Sequence, residues 1–279
     1  MRKRSVHILT LLFIVLSQPL WAQKDIPVQS RKPFNIGETI EFSSEVLGEN
    51  RQLNIYLPQS YAENTTQPYP VIYLLDGSTE EDFIHIAGLV QFGSFSWIEM
   101  IPESIVVGIV NVDRRRDFTY PTLNKKDKKD FPTTGKSADF IDFIDKELQP
   151  LVEKQYRVTA TKTLIGQSLG GLLATEILFK RPQLFDNYII VSPSLWWDNQ
   201  SLLKATPVSY PSQKSVFIAV GKEGAVMERT AKALYEKLKA DNKANTDLYF
   251  EFFEKRDHGD ALHLAVYSAF EKIFAKTDK

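Results

Sequence analysis

The feature that most constrains the fold is a series of short, almost uncharged apolar runs spread along the chain. In a strand that is exposed on one face, polar and apolar residues alternate, whereas these runs are continuously apolar. Strands buried on both faces occur where helices cover a mostly parallel sheet. The runs that we assign to such strands are 71–75, 105–112, 163–166, 188–191, 216–220 and 248–253.

Stretches with helical spacing alternate with these strands, as expected of an α/β protein. Pro150 lies inside the first long stretch and is predicted to kink or split it. Before the alternation begins, residues 38–47 and 51–57 flank Gly48-Glu49-Asn50 and predict an antiparallel hairpin. We therefore expect a mostly parallel sheet with an N-terminal antiparallel hairpin and helices on both faces. The helical stretches are 137–155, 169–181, 228–240 and 262–273.

The first 22 residues have the organisation of a secretory signal peptide. Three cations at positions 2–4 precede an apolar run at 8–16, and Ala22 marks a cleavage point before Gln23. The run is shorter than the ~20 residues that cross a bilayer, which disfavours an uncleaved membrane anchor. We expect export to a bacterial periplasm or exterior. No repeat or Gly/Ser linker divides the rest, so residues 23–279 are predicted to form one domain.

Composition excludes several kinds of protein. With 34 Lys and Arg against 35 Asp and Glu, the chain has no basic excess that would favour nucleic acid as a partner. It has no cysteine, which excludes disulfides, thiol nucleophiles and zinc ribbons. The four His, at positions 7, 85, 258 and 263, offer little for a multi-His site, so no metal is expected.

One segment, residues 114–136, has many charges and no apolar period. Arg114-Arg115-Arg116 opens it, and the stretch from Lys125 to Lys129 adds four lysines. We interpret the segment as a long surface loop whose charges are solvated. The alternative is that it forms the rim of an active site, where its arginines would meet an anionic substrate.

The residues Gly166-Gln-Ser168-Leu-Gly170 match Gly-x-Ser-x-Gly between an apolar strand and a helical stretch. A strand that turns sharply into a helix holds its serine in a strained conformation, with the hydroxyl raised above the sheet. The flanking glycines lack the Cβ atoms that would collide with the turn. The pattern predicts Ser168 as a nucleophile; the alternative is that Gly170-Gly171 only allows close helix packing.

A serine hydroxyl needs a base that removes its proton. His258 lies between the last predicted strand and the last helix. It therefore follows a parallel strand, as Ser168 does, and belongs at the same edge of the sheet. His85 and His263 lie in helical stretches, where a hydrogen-bonded or exposed side chain explains them. We predict His258 as the base.

The base in turn needs an acid that holds its tautomer and stabilises the imidazolium. In this architecture the chain order is serine, acid, histidine. Glu223 follows the strand 216–220 and satisfies that order, so we predict it as the acid. A Ser-His pair without an acid is also open, as are three other carboxylates: Asp198, Asp247 and Asp257.

An acyl-transfer site also needs N–H donors for an oxyanion. The Leu169 N–H directly follows the nucleophile and is one donor. The second is expected in the loop after the strand 71–75, where Gly77 permits close backbone approach. We assign it to the Ser78 N–H, and we interpret Asp76 as a turn residue.

Five segments occur in an order that is specific to one family. They are Tyr73-Leu-Leu-Asp76-Gly77, Asn111 to Asp117, Tyr156-Arg157-Val158, Gly166 to Gly171 and Ser192-Pro-Ser-Leu-Trp-Trp197-Asp198. Together they resemble the Putative esterase family of α/β-hydrolases, which includes esterase D-like and enterochelin-esterase-like proteins. The resemblance spans residues 38–275. Gln167 departs from the His that is common beside the family's nucleophile.

The resemblance implies an α/β-hydrolase fold and a serine esterase that needs no cofactor. It assigns Ser168 and His258 their catalytic roles directly, and Glu223 by position. Family members act on trilactone siderophores, S-acyl thiols, or acetyl and feruloyl groups of polysaccharides. The expected partner is therefore a small-molecule or polysaccharide ester.

The substrate pocket is the least determined part of the site. Trp196 and Trp197 follow a strand that ends at the same edge of the sheet, so they either line an acyl or aromatic pocket or pack beneath a loop. Arg116 is a further candidate for this pocket. Two other functions remain open: a catalytically silent binding or accessory protein on the same scaffold, and an acyltransferase that uses the same residues.

Overall fold

The computed structural model describes residues 26–241 and 243–274. The chain divides into two units between Phe34 and Asn35. In the first unit, the described residues 26–34 are exposed and form no helix or strand. The second unit contains all the elements below. The predicted signal peptide, residues 1–22, lies outside the described residues.

An eight-stranded sheet forms the centre of the second unit. Its strands are β1 (Glu38–Ser44), β2 (Glu49–Tyr56), β3 (Tyr69–Leu74), β4 (Ile105–Ile109), β5 (Val158–Gln167), β6 (Asn187–Val191), β7 (Lys214–Gly221) and β8 (Thr246–Phe253). Across the sheet the order is β1-β2-β4-β3-β5-β6-β7-β8. β2 is antiparallel to both of its neighbours, and the other pairs are parallel. The predicted fold class, a mostly parallel sheet with an N-terminal antiparallel hairpin, is confirmed.

Helices surround this sheet. They are α1 (Ser60–Glu63), α2 (Phe83–Gly93), α3 (Arg114–Phe118), α4 (Lys125–Asp130), α5 (Ser137–Phe143), α6 (Gln149–Gln155), α7 (Leu169–Lys180), α8 (Trp197–Lys204), α9 (Ala225–Asp241) and α10 (Leu262–Ile273). A π-helix, Ile144–Leu148, joins α5 to α6 just before Pro150. Proline has no N–H with which to continue the α-helical hydrogen bonds, and the predicted interruption is found at this place. Within the described residues, no helix is long and apolar enough to cross a membrane.

The sheet is buried on both faces, as its uncharged strands require. On one face, Phe140 of α5 and Leu172 of α7 belong to a fully buried apolar cluster. On the other face, Ile86 of α2 and Val266 of α10 belong to a second cluster. The central strands are thereby fixed from both sides, and the loops at their ends carry the polar residues.

The segment 114–136 is not the solvated loop that its charges predicted. It contains α3 and α4, and Asp117 is buried. Arg51 donates to Asp117 at 2.9 Å, and both of these side chains are buried. Arg116 donates to Asp117 at 2.7 Å and to Glu49 at 2.6 Å. These charges are paired within the fold, and because most of the partners are distant in sequence, no local pattern reveals them.

Candidate functional site

The candidate site lies at the carboxyl edge of the sheet, where β3, β5 and β6 end. One or two residues after each strand the backbone is left-handed, with φ of 56° at Asp76, 59° at Ser168 and 45° at Ser192. Such values are costly for residues other than glycine and persist only where the surrounding contacts enforce them. Strain of this kind is concentrated at functional sites. It therefore marks this edge of the sheet as the place to look for chemistry.

Ser168 occupies the sharp turn between β5 and α7. Its N–H donates to the Val191 carbonyl at 3.1 Å, and its carbonyl accepts from the Ser194 N–H at 2.9 Å. A Cβ on Gly166 would lie 2.5 Å from the Gly170 carbonyl oxygen, so the turn closes this tightly only with glycine. The strand, turn and helix are arranged as Gly-x-Ser-x-Gly predicted.

His258 and Glu223 are in direct contact. His258 Nδ1 lies 2.6 Å from Glu223 Oε2. The Glu223 side chain is 2% exposed, whereas that of His258 is 48% exposed and accessible to a ligand. The other candidate acids form different hydrogen bonds: Asp198 with Thr122, Asp247 with Gln213 and Asp257 with the Gly259 N–H.

Hydrogen bonds keep Glu223 ionised. Burial raises the pKa of this carboxyl, but donors from His258, Ser192 and the Gly221 N–H outweigh burial, so the pKa lies below its usual value. The Gly221 N–H lies 2.9 Å from Oε1, which also accepts from the Ser192 hydroxyl. An ionised carboxylate beside an imidazole stabilises the protonated ring.

Ser168 and His258 line the same cavity, whose volume is about 350 Å³. The Gln167 side-chain amide donates to the His258 carbonyl at 2.6 Å, which ties the histidine loop to the residue beside Ser168. The Ser168 hydroxyl lies 3.4 Å from that of Ser194, and within the described residues it forms no hydrogen bond with His258. Catalytic hydrogen bonds are often long before substrate binds. The fold thus brings the predicted nucleophile and base to one cavity.

The remaining walls of this cavity are mostly charged, and sequence reasoning missed most of them. Arg114 donates to Asp76 through two bonds of 2.6 and 2.8 Å, and Asn111 donates to Asp76 at 2.7 Å. Glu81 and Asp82 immediately precede α2 and also line the cavity. Arg114 opens the charged segment for which a rim position was the alternative interpretation, and this residue does border the cavity.

The three residues predicted to line a substrate pocket are not among those that border this cavity. Trp197 is fully buried, and its indole N–H donates to the Tyr120 carbonyl at 2.9 Å. Trp196 is half-buried and packs against Phe131. Arg116 is held by the carboxylates described above. The tryptophans therefore pack beneath a loop, which was the alternative for them, and Arg116 stabilises the fold.

The two predicted oxyanion donors lie in the expected segments. Leu169 is the first residue of α7, and an N–H at this position has no acceptor within its helix. Ser78 follows Gly77, whose own N–H donates to the Ile109 carbonyl at 3.0 Å. Because the Gly77 N–H is engaged, Ser78 provides the next donor along this loop. The assignment of both N–H groups to an oxyanion stays a prediction.

Titratable side chains outside the cavity do not assemble a metal centre. Within the described part of the chain, no three His, Asp or Glu side chains are grouped as a metal ion would require. The rings of His85 and His263 lie with their centroids 6.3 Å apart. Neither is among the residues that line the cavity of Ser168.

Asp82 is held in an unfavourable electrostatic environment. Burial raises its pKa to about 6, with further contributions from the carboxylates of Asp76 and Glu81. Because the ordinary pKa of aspartate is about 3.9, the charged form is less stable in the folded chain than in the unfolded chain. This destabilisation is complete above pH 6 and disappears as the pH falls to the unfolded value.

We expect Asp82→Asn to raise the free energy of unfolding at pH 7.5 by about 1 kcal/mol. A shift of about two pKa units corresponds to about 3 kcal/mol, which solvent screening at this half-exposed side chain reduces. The melting temperature should rise by about 2–4 °C at pH 7.5, and by less at pH 5. Thermal unfolding at both pH values measures this. Glu80→Gln, an exposed neighbour, is the matched control, and an unchanged or lower melting temperature for Asp82→Asn at pH 7.5 would contradict the prediction.

Comparison with known proteins agrees with this geometry. The family model described as Putative esterase matches residues 44–263. Ferri-bacillibactin esterase BesA of Bacillus subtilis is 30% identical over 244 residues, which cover 79% of this chain and 84% of that relative. The siderophore triacetylfusarinine C esterase of Aspergillus fumigatus is 30% identical over 192 residues, which cover 62% of this chain and 64% of the relative.

A solved structure shows the same fold. An IroE-like serine hydrolase from Shewanella oneidensis superposes with a TM-score of 0.76 and is 31% identical. The match covers 85% of this chain and 80% of that one. The α/β-hydrolase fold implied by the sequence resemblance is therefore confirmed.

Proposed function

The chain belongs to the Putative esterase family and is an ester-hydrolysing enzyme, and we propose that it is an exported esterase that uses Ser168 as its nucleophile. One observation carries the proposal. Ser168 and His258 line one cavity, and the imidazole contacts the buried carboxylate of Glu223 at 2.6 Å. A nucleophile, a base and an orienting acid in this relation are what acyl transfer requires.

In the proposed mechanism, Ser168 Oγ attacks the ester carbonyl while His258 Nε2 accepts its proton. Glu223 accepts from Nδ1–H, which fixes the tautomer and stabilises the imidazolium. The N–H groups of Leu169 and Ser78 hydrogen-bond the oxyanion of the tetrahedral intermediate. The alcohol then leaves with the proton from His258, and a water molecule repeats the sequence on the acyl-enzyme to release the carboxylic acid.

The substrate that we propose is a small-molecule carboxylic ester, such as a siderophore trilactone or an acylated carbohydrate. The names of the two relatives assign them siderophore esters, which supports the first of these. The cavity itself has the dimensions of a small-ligand site, at about 350 Å³. Thioesters react by the same chemistry and belong in the comparison.

Labelling with a fluorophosphonate tests the serine mechanism. We expect the wild-type protein to be labelled stoichiometrically, with the adduct found on the Ser168 peptide by mass spectrometry, and to hydrolyse 4-nitrophenyl acetate. Ferric siderophore, acyl-thiol and acetylated-sugar substrates compared side by side then rank the ester classes. A well-folded wild-type protein that is neither labelled nor active would support the binding-protein alternative, and transfer of the acyl group to an added alcohol in preference to water would support the acyltransferase.

Export is tested separately, on the full-length chain expressed in a bacterial host. The mature protein should be recovered outside the cytoplasm with an N-terminus at or near Gln23. Recovery of the full-length chain in the cytoplasm would contradict the export proposal without affecting the serine mechanism.

A further inference from the structure

The wall charges of the cavity point to a substrate class. We infer that the enzyme prefers esters that carry a positive charge near the reacting carbonyl, and that Glu81 and Asp82 determine this preference. The inference rests on the proposed serine mechanism at Ser168 and adds the charge of the group that accompanies the ester.

The first step is a count of charges around the cavity. Four charged side chains line it, namely Asp76, Glu81, Asp82 and Arg114. Arg114 is engaged by both carboxylate oxygens of Asp76, through Nε at 2.6 Å and Nη2 at 2.8 Å. These two charges cancel, which leaves two carboxylates uncompensated at neutral pH.

The second step is that neither remaining carboxylate is neutralised by the protein. Within the described residues, neither Glu81 nor Asp82 has a Lys, Arg or His partner at ion-pair distance. Glu81 accepts one long bond of 3.4 Å from the Asn111 amide. The unfavourable environment of Asp82 shows that the protein retains this charge at a cost in stability, as polar groups in ligand sites often are. A cation supplied by the substrate would compensate both groups.

The third step is that the arginine of this cavity does not offer its charge to an anion. Arg114 is fixed by Asp76, and its Nη2 also faces the Gln167 carbonyl at 3.4 Å. Its Cζ lies 5.5 Å from the centre of the Phe118 ring, so the side chain is packed as well as paired. An anionic substrate would meet two carboxylates and a neutralised guanidinium, and is therefore disfavoured.

Isosteric ester pairs test this inference on the mature wild-type enzyme. 4-Nitrophenyl β-alaninate carries an ammonium group where 4-nitrophenyl butanoate has a methyl group, and 4-nitrophenyl hydrogen succinate carries a carboxylate. Butyrylcholine and 3,3-dimethylbutyl butanoate form a second pair, with the charge on the alcohol side. Each kcat/KM is divided by the hydroxide-catalysed rate of the same ester, which removes differences in intrinsic reactivity.

At pH 7.5 and low salt we expect the cationic ester to be preferred by about tenfold or more over its neutral isostere in at least one pair. The succinate ester should react more slowly than butanoate. The preference should decrease when salt is added, because salt screens charges at the mouth of an open cavity. The pair that shows the larger preference identifies the side of the ester that carries the cation.

Variants assign the preference to named residues. Glu81→Gln and Asp82→Asn should each reduce the cationic-to-neutral ratio about threefold or more, and the double variant should bring it close to one. Glu80→Gln, an exposed neighbour outside the cavity, should keep the wild-type ratio. A wild-type ratio of one or less in both pairs, or a double variant that keeps the preference, would overturn the inference.

The same assay separates this inference from the proposed function. If butanoate is hydrolysed and Ser168 is labelled but no cationic preference appears, only the substrate class is wrong. If no ester is hydrolysed and Ser168 is not labelled in a folded protein, the proposed serine mechanism fails and the substrate class fails with it.

Discussion

Replacement of Ser168 by alanine is expected to lower kcat for 4-nitrophenyl acetate by a factor of about 10⁵–10⁶ and to abolish fluorophosphonate labelling. The hydroxyl is the atom that forms the acyl-enzyme, and removing a nucleophile from such a site costs about as much as removing all of its catalytic partners. The residual rate would come from the oxyanion donors and from substrate binding. Steady-state kinetics and intact-mass measurement of the labelled protein quantify both effects.

The fold should survive this change. Ser168 has φ of 59°, and alanine meets the same backbone strain as serine there, because both residues carry a Cβ. Circular dichroism and thermal unfolding should match those of the wild type within a few degrees. Ser96→Ala, at an exposed serine far along the chain, controls for the loss of a hydroxyl and should keep wild-type labelling. Wild-type turnover in a folded Ser168→Ala protein would exclude the serine mechanism.

Strand order explains why the contact between Glu223 and His258 can be predicted without coordinates. β7 and β8 are neighbouring parallel strands, so the loops that follow them lie side by side. The Lys222 N–H donates to the Arg256 carbonyl at 2.6 Å, and a Cβ on Gly221 would lie 2.6 Å from the same oxygen. Because the two loops are this close, a carboxylate in one of them reaches an imidazole in the other.

The charged walls of the cavity are a different case, and Arg114 shows why. Arg114, Arg115 and Arg116 are consecutive and alike in the sequence, yet they lie on different sides of the short helix α3. Arg114 pairs with Asp76, Arg115 lies over the Phe131 ring at 5.2 Å, and Arg116 pairs with Glu49. A run of like charges carries no information about which member meets which distant partner.

The aromatic run after β6 has the same limitation. Trp196 and Trp197 follow a strand whose end lies at the site, so both a pocket and a packed interior are compatible with their position. The outcome is decided by Tyr120, whose carbonyl accepts from the Trp197 indole across 77 residues of chain. Local patterns predict strands, turns and their ends, whereas the surroundings of one side chain depend on partners from several distant segments.

The Glu223→Gln substitution is expected to lower kcat by a factor of about 10³–10⁴ with little change in KM. Glutamine has the same shape, but its amide carries no charge and can donate to Nδ1. The ring would then hold its proton on Nε2, the atom that must accept the proton of Ser168. The Ser192 hydroxyl and the Gly221 N–H would still have an oxygen to bond. The fold should therefore be retained, and the loss should appear in turnover and in slower labelling by fluorophosphonate.

The rival carboxylates provide the controls that make the Glu223 assignment decisive. Asp247 lies at the opposite end of β8 and bonds to Gln213, so Asp247→Asn should keep wild-type turnover. Asp257 precedes His258 and accepts from the Gly259 N–H at 2.8 Å, which gives it a role in loop shape. Asp257→Asn should therefore lose at most about a tenth as much activity as Glu223→Gln. If Glu223→Gln kept more than a tenth of wild-type kcat while Asp257→Asn lost it, the orienting acid would be Asp257, and the buried position of Glu223 would serve only the fold.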